Sequence, residues 1–120
     1  MSEIADCIYN TYIELFPHWT IIKEKFVSYK GYRLFFDFFI REIGLYTEVQ
    51  GEQHSKFNKH FFKTIDDFRQ QQVRDNLKIE YIQNDRLKHL IRFYHNEDIS
   101  KALVVKKFNA VFDVEDGIVI

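Results

Sequence analysis

Two carboxylates lie on either side of a short turn between Phe35 and His54, and they are the residues whose types and spacing suggest chemistry. The segment reads as two apolar strands joined by a loop over 41–44, with Asp37 in the middle of the first and Glu48 in the middle of the second. If Ile40 pairs with Leu45, antiparallel register puts Asp37 directly opposite Glu48. Opposed residues have Cβ atoms roughly 4.5–5.5 Å apart, so the two charges repel unless a cation sits between them. Hard divalent ions such as Mg²⁺ bind one or two carboxylates together with water and substrate phosphate oxygens. The expected chemistry is therefore metal-dependent reaction at phosphate. The competing reading puts each charge near a strand end, solvated and inert.

Several residues could support such a site. Gln50 shares the face of Glu48 and could orient a water or a phosphate oxygen, but it carries no charge and takes up no proton. The longest helical segment has a stripe of Phe61, Ile65, Phe68, Gln72, Asp75, Ile79 and Ile82. Asp75 interrupts its apolar face, and a charge there requires a partner; alternatively the stripe drifts, and Val73 and Leu77 take over the packing. Arg74 and Lys78, four residues apart, project together as phosphate contacts or form a solvated helix face. His54 follows the second strand, with Lys56, Lys59 and His60 nearby, and a histidine there could act as general acid or base or hold a phosphate. Glu3 is, on spacing alone, an ordinary helix-start residue.

The elements that would position these groups follow from periodicity. A helix over 2–16 has apolar residues Ile4, Ile8, Tyr12 and Leu15, and Pro17 ends it. A strand over 19–27, a turn over 28–32 and strands over 33–40 and 45–50 come next. Phe35 and Phe39 are expected on one face and Phe36, Phe38 and Ile40 on the other, so the sheet is covered on both sides. A polar loop over 51–58, a helix over 60–84, a strand over 87–94 and a helix over 98–108 follow. A closing β-ribbon is expected over 110–120, around Glu115-Asp116-Gly117. This order predicts an α/β fold around a mixed sheet.

At 120 residues the chain is one domain, with a core over about 1–95 and a C-terminal addition over about 96–120. With 46% hydrophobic and 29% charged residues it falls in the globular class. No apolar run approaches the ~20 residues of a membrane helix. The start lacks the zones of a signal peptide, and one cysteine, Cys7, excludes an internal disulfide, so a cytoplasmic location is expected. The net charge of -1 argues against binding nucleic acid by bulk electrostatics alone, but it leaves room for a basic face.

Taken together, these residues resemble the PD-(D/E)XK nuclease superfamily, and within it small phage and bacterial endonucleases related to the very-short-patch repair endonucleases. The likeness is carried by Phe36-Asp37-Phe38, by the run from Glu48 through Gly51, Glu52 and Gln53 to His54, by Arg74-Asp75 with Lys78, and by Leu90-Ile91-Arg92. It covers roughly residues 1–95. The resemblance implies a restriction-endonuclease-like α-β-β-β-α-β core. It implies Mg²⁺, replaceable by Mn²⁺, on Asp37, Glu48 and the Val49 carbonyl. It also implies supporting roles for Glu3, His54 and Asp75. Position 50 departs from the pattern: it is Gln where the wider superfamily usually has Lys and the nearer relatives often have Asp. Glutamine occurs there in some members, and Lys78 or His54 is left to substitute.

The expected function is a metal-dependent DNA endonuclease, structure-specific or nicking, with Arg74, Lys78 and Lys56 on the backbone of the substrate. RNA stays open as a substrate, and a homodimer or a subunit of a larger complex stays open as the assembly. The alternative is a catalytically inactive module of the same fold that binds nucleic acid or a protein partner.

Overall fold

The computed structural model describes residues 3–51 and 64–112. Helix α1 (Glu3–Leu15) buries Ala5, Ile8, Tyr12 and Leu15 along one stripe, the spacing of an amphipathic helix, and stops just before Pro17. Strands β1 (Ile21–Tyr29) and β2 (Tyr32–Ile40) form an antiparallel hairpin. Its two-residue turn has positive φ at both positions, 50° at Lys30 and 80° at Gly31, which matches the twist of the flanking strands. A 3₁₀ turn (Arg41–Ile43) and Gly44 lead into β3 (Leu45–Gln50). Helix α2 (Ile65–Gln83) then crosses over to β4 (His89–Tyr94), and α3 (Lys101–Phe112) follows.

The protein is thus α/β, with a four-stranded mixed sheet in the order β1-β2-β3-β4 and β4 parallel to β3. Apolar clusters lie on both faces. Residues of α1 and α3, among them Ile8, Tyr12, Val104 and Phe108, pack with Phe38, Ile40, Leu45, Ile91 and Phe93. Leu77, Tyr81 and Ile82 of α2 pack with Val27, Leu34, Phe36 and Tyr46.

The expected facing of β2 is overturned. Phe36 does not share a face with Phe38 and Ile40: Leu34 and Phe36 belong to the α2 side, Phe38 and Ile40 to the α1–α3 side. Facing reverses at Asp37, and β1 reverses with it at Glu24, where φ is 53°. Before that point Lys23 Nζ lies 4.0 Å from the Tyr9 ring of α1; beyond it Lys25 Nζ lies 5.0 Å from the Phe39 ring and Val27 joins the α2 cluster. Register is unchanged across the kink, from Lys23↔Phe38 to Lys25↔Phe36, with only the Glu24–Asp37 pair missing from the ladder. Because the two strands turn over together, Leu34 and Phe36 beyond the kink meet α2, whereas Phe38 and Ile40 before it meet α1 and α3 and Phe39 lies on the α2 side.

Several boundaries differ from the sequence expectation; β1 runs on to Tyr29, β4 begins at His89 and α3 at Lys101. Trp19 stacks on Phe16, with centroids 4.6 Å apart, and β1 begins two residues later at Ile21. Helix α2 begins at Ile65 within the described residues. The ribbon expected from residue 110 does not start there: Ala110, Val111 and Phe112 continue α3. The i, i+4 series Val104, Phe108 and Phe112 sustains the helix, and Phe112 lies 4.5 Å from the His89 ring. The rest of the expected ribbon, 113–120, lies outside the described residues. No helix among the described residues is long and apolar enough to cross a membrane.

Gly44 is the tightest backbone constraint near the sheet. Its φ is 62°, and a Cβ there would come 2.3 Å from the Leu87 carbonyl oxygen. Gly44→Ala should therefore destabilise the fold by about 2–4 kcal/mol, from left-handed strain plus overpacking. Urea unfolding would show this as a lowered midpoint at constant slope.

Candidate active site

The register expected between the carboxylate strands is observed: Ile40 pairs with Leu45, Phe39 with Tyr46 and Phe38 with Thr47. The ladder ends there, one step before Asp37 and Glu48. Where a further rung would stand, the Asp37 side chain takes over, its Oδ2 accepting the Val49 backbone N–H at 2.7 Å. Asp37 thus spans the gap between β2 and β3 at the point where β2 also loses its pairing to β1.

Glu48 alternates with Leu45 and Thr47, which are buried toward α1, so its side chain points to the α2 face. Thr47 is fixed on the opposite side by a 2.8 Å hydrogen bond with the Tyr12 hydroxyl. Burial pushes the Tyr12 phenol well above its ordinary value. Glu48 is only 4% exposed, and two cations reach it. Lys78 of α2 donates from Nζ to Oε1, and Arg92 of β4 brings Nη2 to 3.6 Å from Oε2. Arg92 is the β4 residue in register with Glu48. The chain thus brings two cations of its own to Glu48.

The pairing is incomplete. Glu48 Oε2 and Arg92 Nε and Nη2 are buried and make no hydrogen bond among the described residues. A buried polar atom without a partner costs about 1–3 kcal/mol, and such atoms mark places where a ligand, ion or water belongs.

Two clefts flank Glu48. Lys78 lines one, with Arg33, Phe35, Gln71 and Arg74. Arg92 lines the other, with Gln50, Gln72, Asp75, Asn76 and Ile79. Arg74 and Lys78 do share a cleft, and Lys78 is buried against Glu48, so the alternative of a solvated helix face does not hold for it. Arg74 is half-buried, its guanidinium 5.8 Å from the Tyr32 ring.

Asp75 accepts a 3.1 Å hydrogen bond from Gln71 Nε2 and lines the Gln50 cleft. The helix stripe that motivated it holds at Phe68 and Ile82 but not at Gln72. Lys78 is buried, and Leu77, Tyr81 and Ile82 pack on the sheet, while Gln72 and Val73 are exposed. Glu3 is exposed at the start of α1, and no contact ties it to the carboxylates. His54, Lys56, Lys59 and His60 lie outside the described residues.

Arg33, Phe35 and Arg92 were missed as site residues. Arg92 had a signal: it interrupts the buried pair Ile91 and Phe93, so a charge in mid-strand needed a partner. Arg33 and Phe35 had none, because their value depends on the cleft α2 forms beside β2.

Among the described residues no cluster of three or more His, Cys, Asp or Glu side chains forms. Two carboxylates and a neighbouring peptide carbonyl are nonetheless an all-oxygen set of the kind Mg²⁺ accepts, and Glu48 Oε2 lacks a hydrogen bond. The donors fit a hard cation. Compared with protein-family models, curated proteins and solved structures, the chain matches none.

The site separates the two carboxylates experimentally. Glu48→Ala strands two buried cations and should cost about 3–5 kcal/mol in urea unfolding. Adding Lys78→Met should recover part of that loss. Asp37→Asn, which keeps an oxygen acceptor for the Val49 N–H, should unfold within about 1 kcal/mol of the parent.

Proposed function

We propose that this protein is a metal-dependent DNA endonuclease that hydrolyses phosphodiester bonds. The observation that carries this reading is the convergence of Asp37, Glu48, Lys78 and Arg92 at the point where the β2–β3 ladder ends, beside a cleft lined by Arg33 and Arg74. The element order α-β-β-β-α-β before the last helix is also the order expected of a restriction-endonuclease-like core.

Asp37, Glu48 and the Val49 carbonyl would hold Mg²⁺ or Mn²⁺. Bound there, the ion would polarise the scissile phosphate and make a bound water more acidic. The chain's own residues do the rest. The Val49 N–H fixes the Asp37 carboxylate by its Oδ2, leaving Oδ1 for a ligand. Lys78 brings to Glu48 the positive charge that Gln50 cannot give, and can pass it to a phosphate oxygen when the carboxylate takes another cation. Arg33 and Arg74 hold the flanking backbone.

A second reading, a binding module of the same fold without catalysis, is favoured by one observation: Glu48 already has two cations of its own, and position 50 is uncharged.

Incubation with supercoiled plasmid and with branched and single-stranded DNA tests both, in Mg²⁺, Mn²⁺ or EDTA. The nuclease reading expects cleavage in either metal, none in EDTA, and none by Asp37→Asn at unchanged stability. Cleavage retained by that variant would sink the assignment, and binding without cleavage in any metal would leave the second reading.

A further inference from the structure

The β1–β2 hairpin carries a feature that neither core uses. Phe26 and Phe35 are cross-strand partners with ring centroids 5.4 Å apart, and they are 48% and 53% exposed. Single exposed apolar residues are ordinary; two adjacent rings left in water on a hairpin of two nine-residue strands are not. The kink explains their position. Beyond Glu24 and Asp37 the hairpin gives Val27, Leu34 and Phe36 to α2, so Phe26 and Phe35 turn to the other side. No residue of the hairpin beyond the kink enters the α1–α3 cluster.

The surroundings of the pair are basic. At the β2 edge that β3 leaves unpaired, Phe35 borders a cleft of ≈ 400 Å³ with Arg33 and, from α2, Gln71, Arg74 and Lys78, and among the described residues no Asp or Glu lines it. Lys78, which lines this cleft, also contacts Glu48, so the cleft is one side chain away from that carboxylate. Exposed rings beside guanidinium groups can stack nucleobases while the cations take the phosphates. In a duplex both faces of a base are covered by its neighbours, so such rings engage bases that are unpaired.

We infer that Phe26 and Phe35, with Arg33 and Arg74, form a stacking platform for single-stranded DNA, which makes the favoured substrate an unpaired strand or a flap leading into the carboxylate site. This rests on the nuclease reading for the direction of the strand, but its test does not require cleavage.

Fluorescence anisotropy in EDTA would compare a labelled oligothymidine of about 15 nucleotides with a blunt duplex of equal length. The parent protein should bind the single strand at least about tenfold more tightly, and the variant carrying Phe26→Ala with Phe35→Ala should lose about tenfold or more on the single strand alone. Phe35→Trp should restore a stacking surface, with its indole fluorescence quenched by oligothymidine and not by duplex. That readout also stands if the double alanine variant fails to fold. Equal binding of both DNAs, or no quenching, overturns the platform even if plasmid is cut. Selective single-strand binding by a chain that cuts nothing supports the platform and retracts only the hydrolysis. A dimer in sedimentation that the alanine changes dissociate would assign the rings to a second copy and overturn the inference.

Discussion

Glu48 is a carboxylate in the middle of a sheet strand with 4% of its surface in water, and a charge in that position persists only if opposite charge is brought to it. Two elements do so. Lys78 must face inward from α2, which sets the rotation of that helix about its axis. Arg92 must stand beside Glu48, which fits the parallel register of β4 on β3. The crossover through α2 and the docking of the last strand are therefore tied to one buried side chain. Removing a partner from such a set costs more than the set itself contributes, because what remains is an uncompensated charge. The arrangement is a weak argument for stability and a stronger one for specificity of position. Its unsatisfied oxygen and guanidinium nitrogens fit that view: the polar groups are gathered without being fully used by one another.

The second constraint is the paired reversal at Glu24 and Asp37. A strand that alternated regularly would send Phe36, Phe38 and Ile40 to one side. Here the hairpin divides its aromatic residues between two helix layers, with Phe36 tilted against Tyr46 on one face and Phe38 edge-on to Tyr12 on the other. The reversal also interrupts hydrogen bonding on both sides of Asp37, so its carboxylate can reach the Val49 N–H at the place where β2 and β3 separate. The same event frees the β2 edge at Phe35 and opens the cleft with α2. The fold thus gives up ladder bonds at one point and gains there a polar site between two clefts, one of them basic.

Much of this was legible in advance because it is local. Pro17 and the Ile8, Tyr12, Leu15 spacing mark the first helix, the Lys30–Gly31 turn closes the first hairpin, and the Ile40–Leu45 pairing fixes the β2–β3 register. Those pairings bring Asp37 and Glu48 to neighbouring strands from sequence position alone. The α2 stripe was legible only in part, at Phe68 and Ile82, because the pattern assumes that charged residues face water, and Lys78 does the opposite. The C-terminal ribbon was misread at its start because Glu115-Asp116-Gly117 is a strong turn signal, while the helical spacing of Val104, Phe108 and Phe112 is the stronger local one.

By itself the sequence determined the order of elements, the mixed α/β class and the adjacency of two carboxylates, since periodicity and turn chemistry act over a few residues. Tertiary structure alone decided which cations neutralise Glu48, where β2 turns over, and that Phe35, Arg33 and Arg74 share one cleft. The first and last depend on residues 30 or more positions apart, and the second on two strands turning over together, where burial outweighs the local preference of a lysine for water or of a strand for strict alternation.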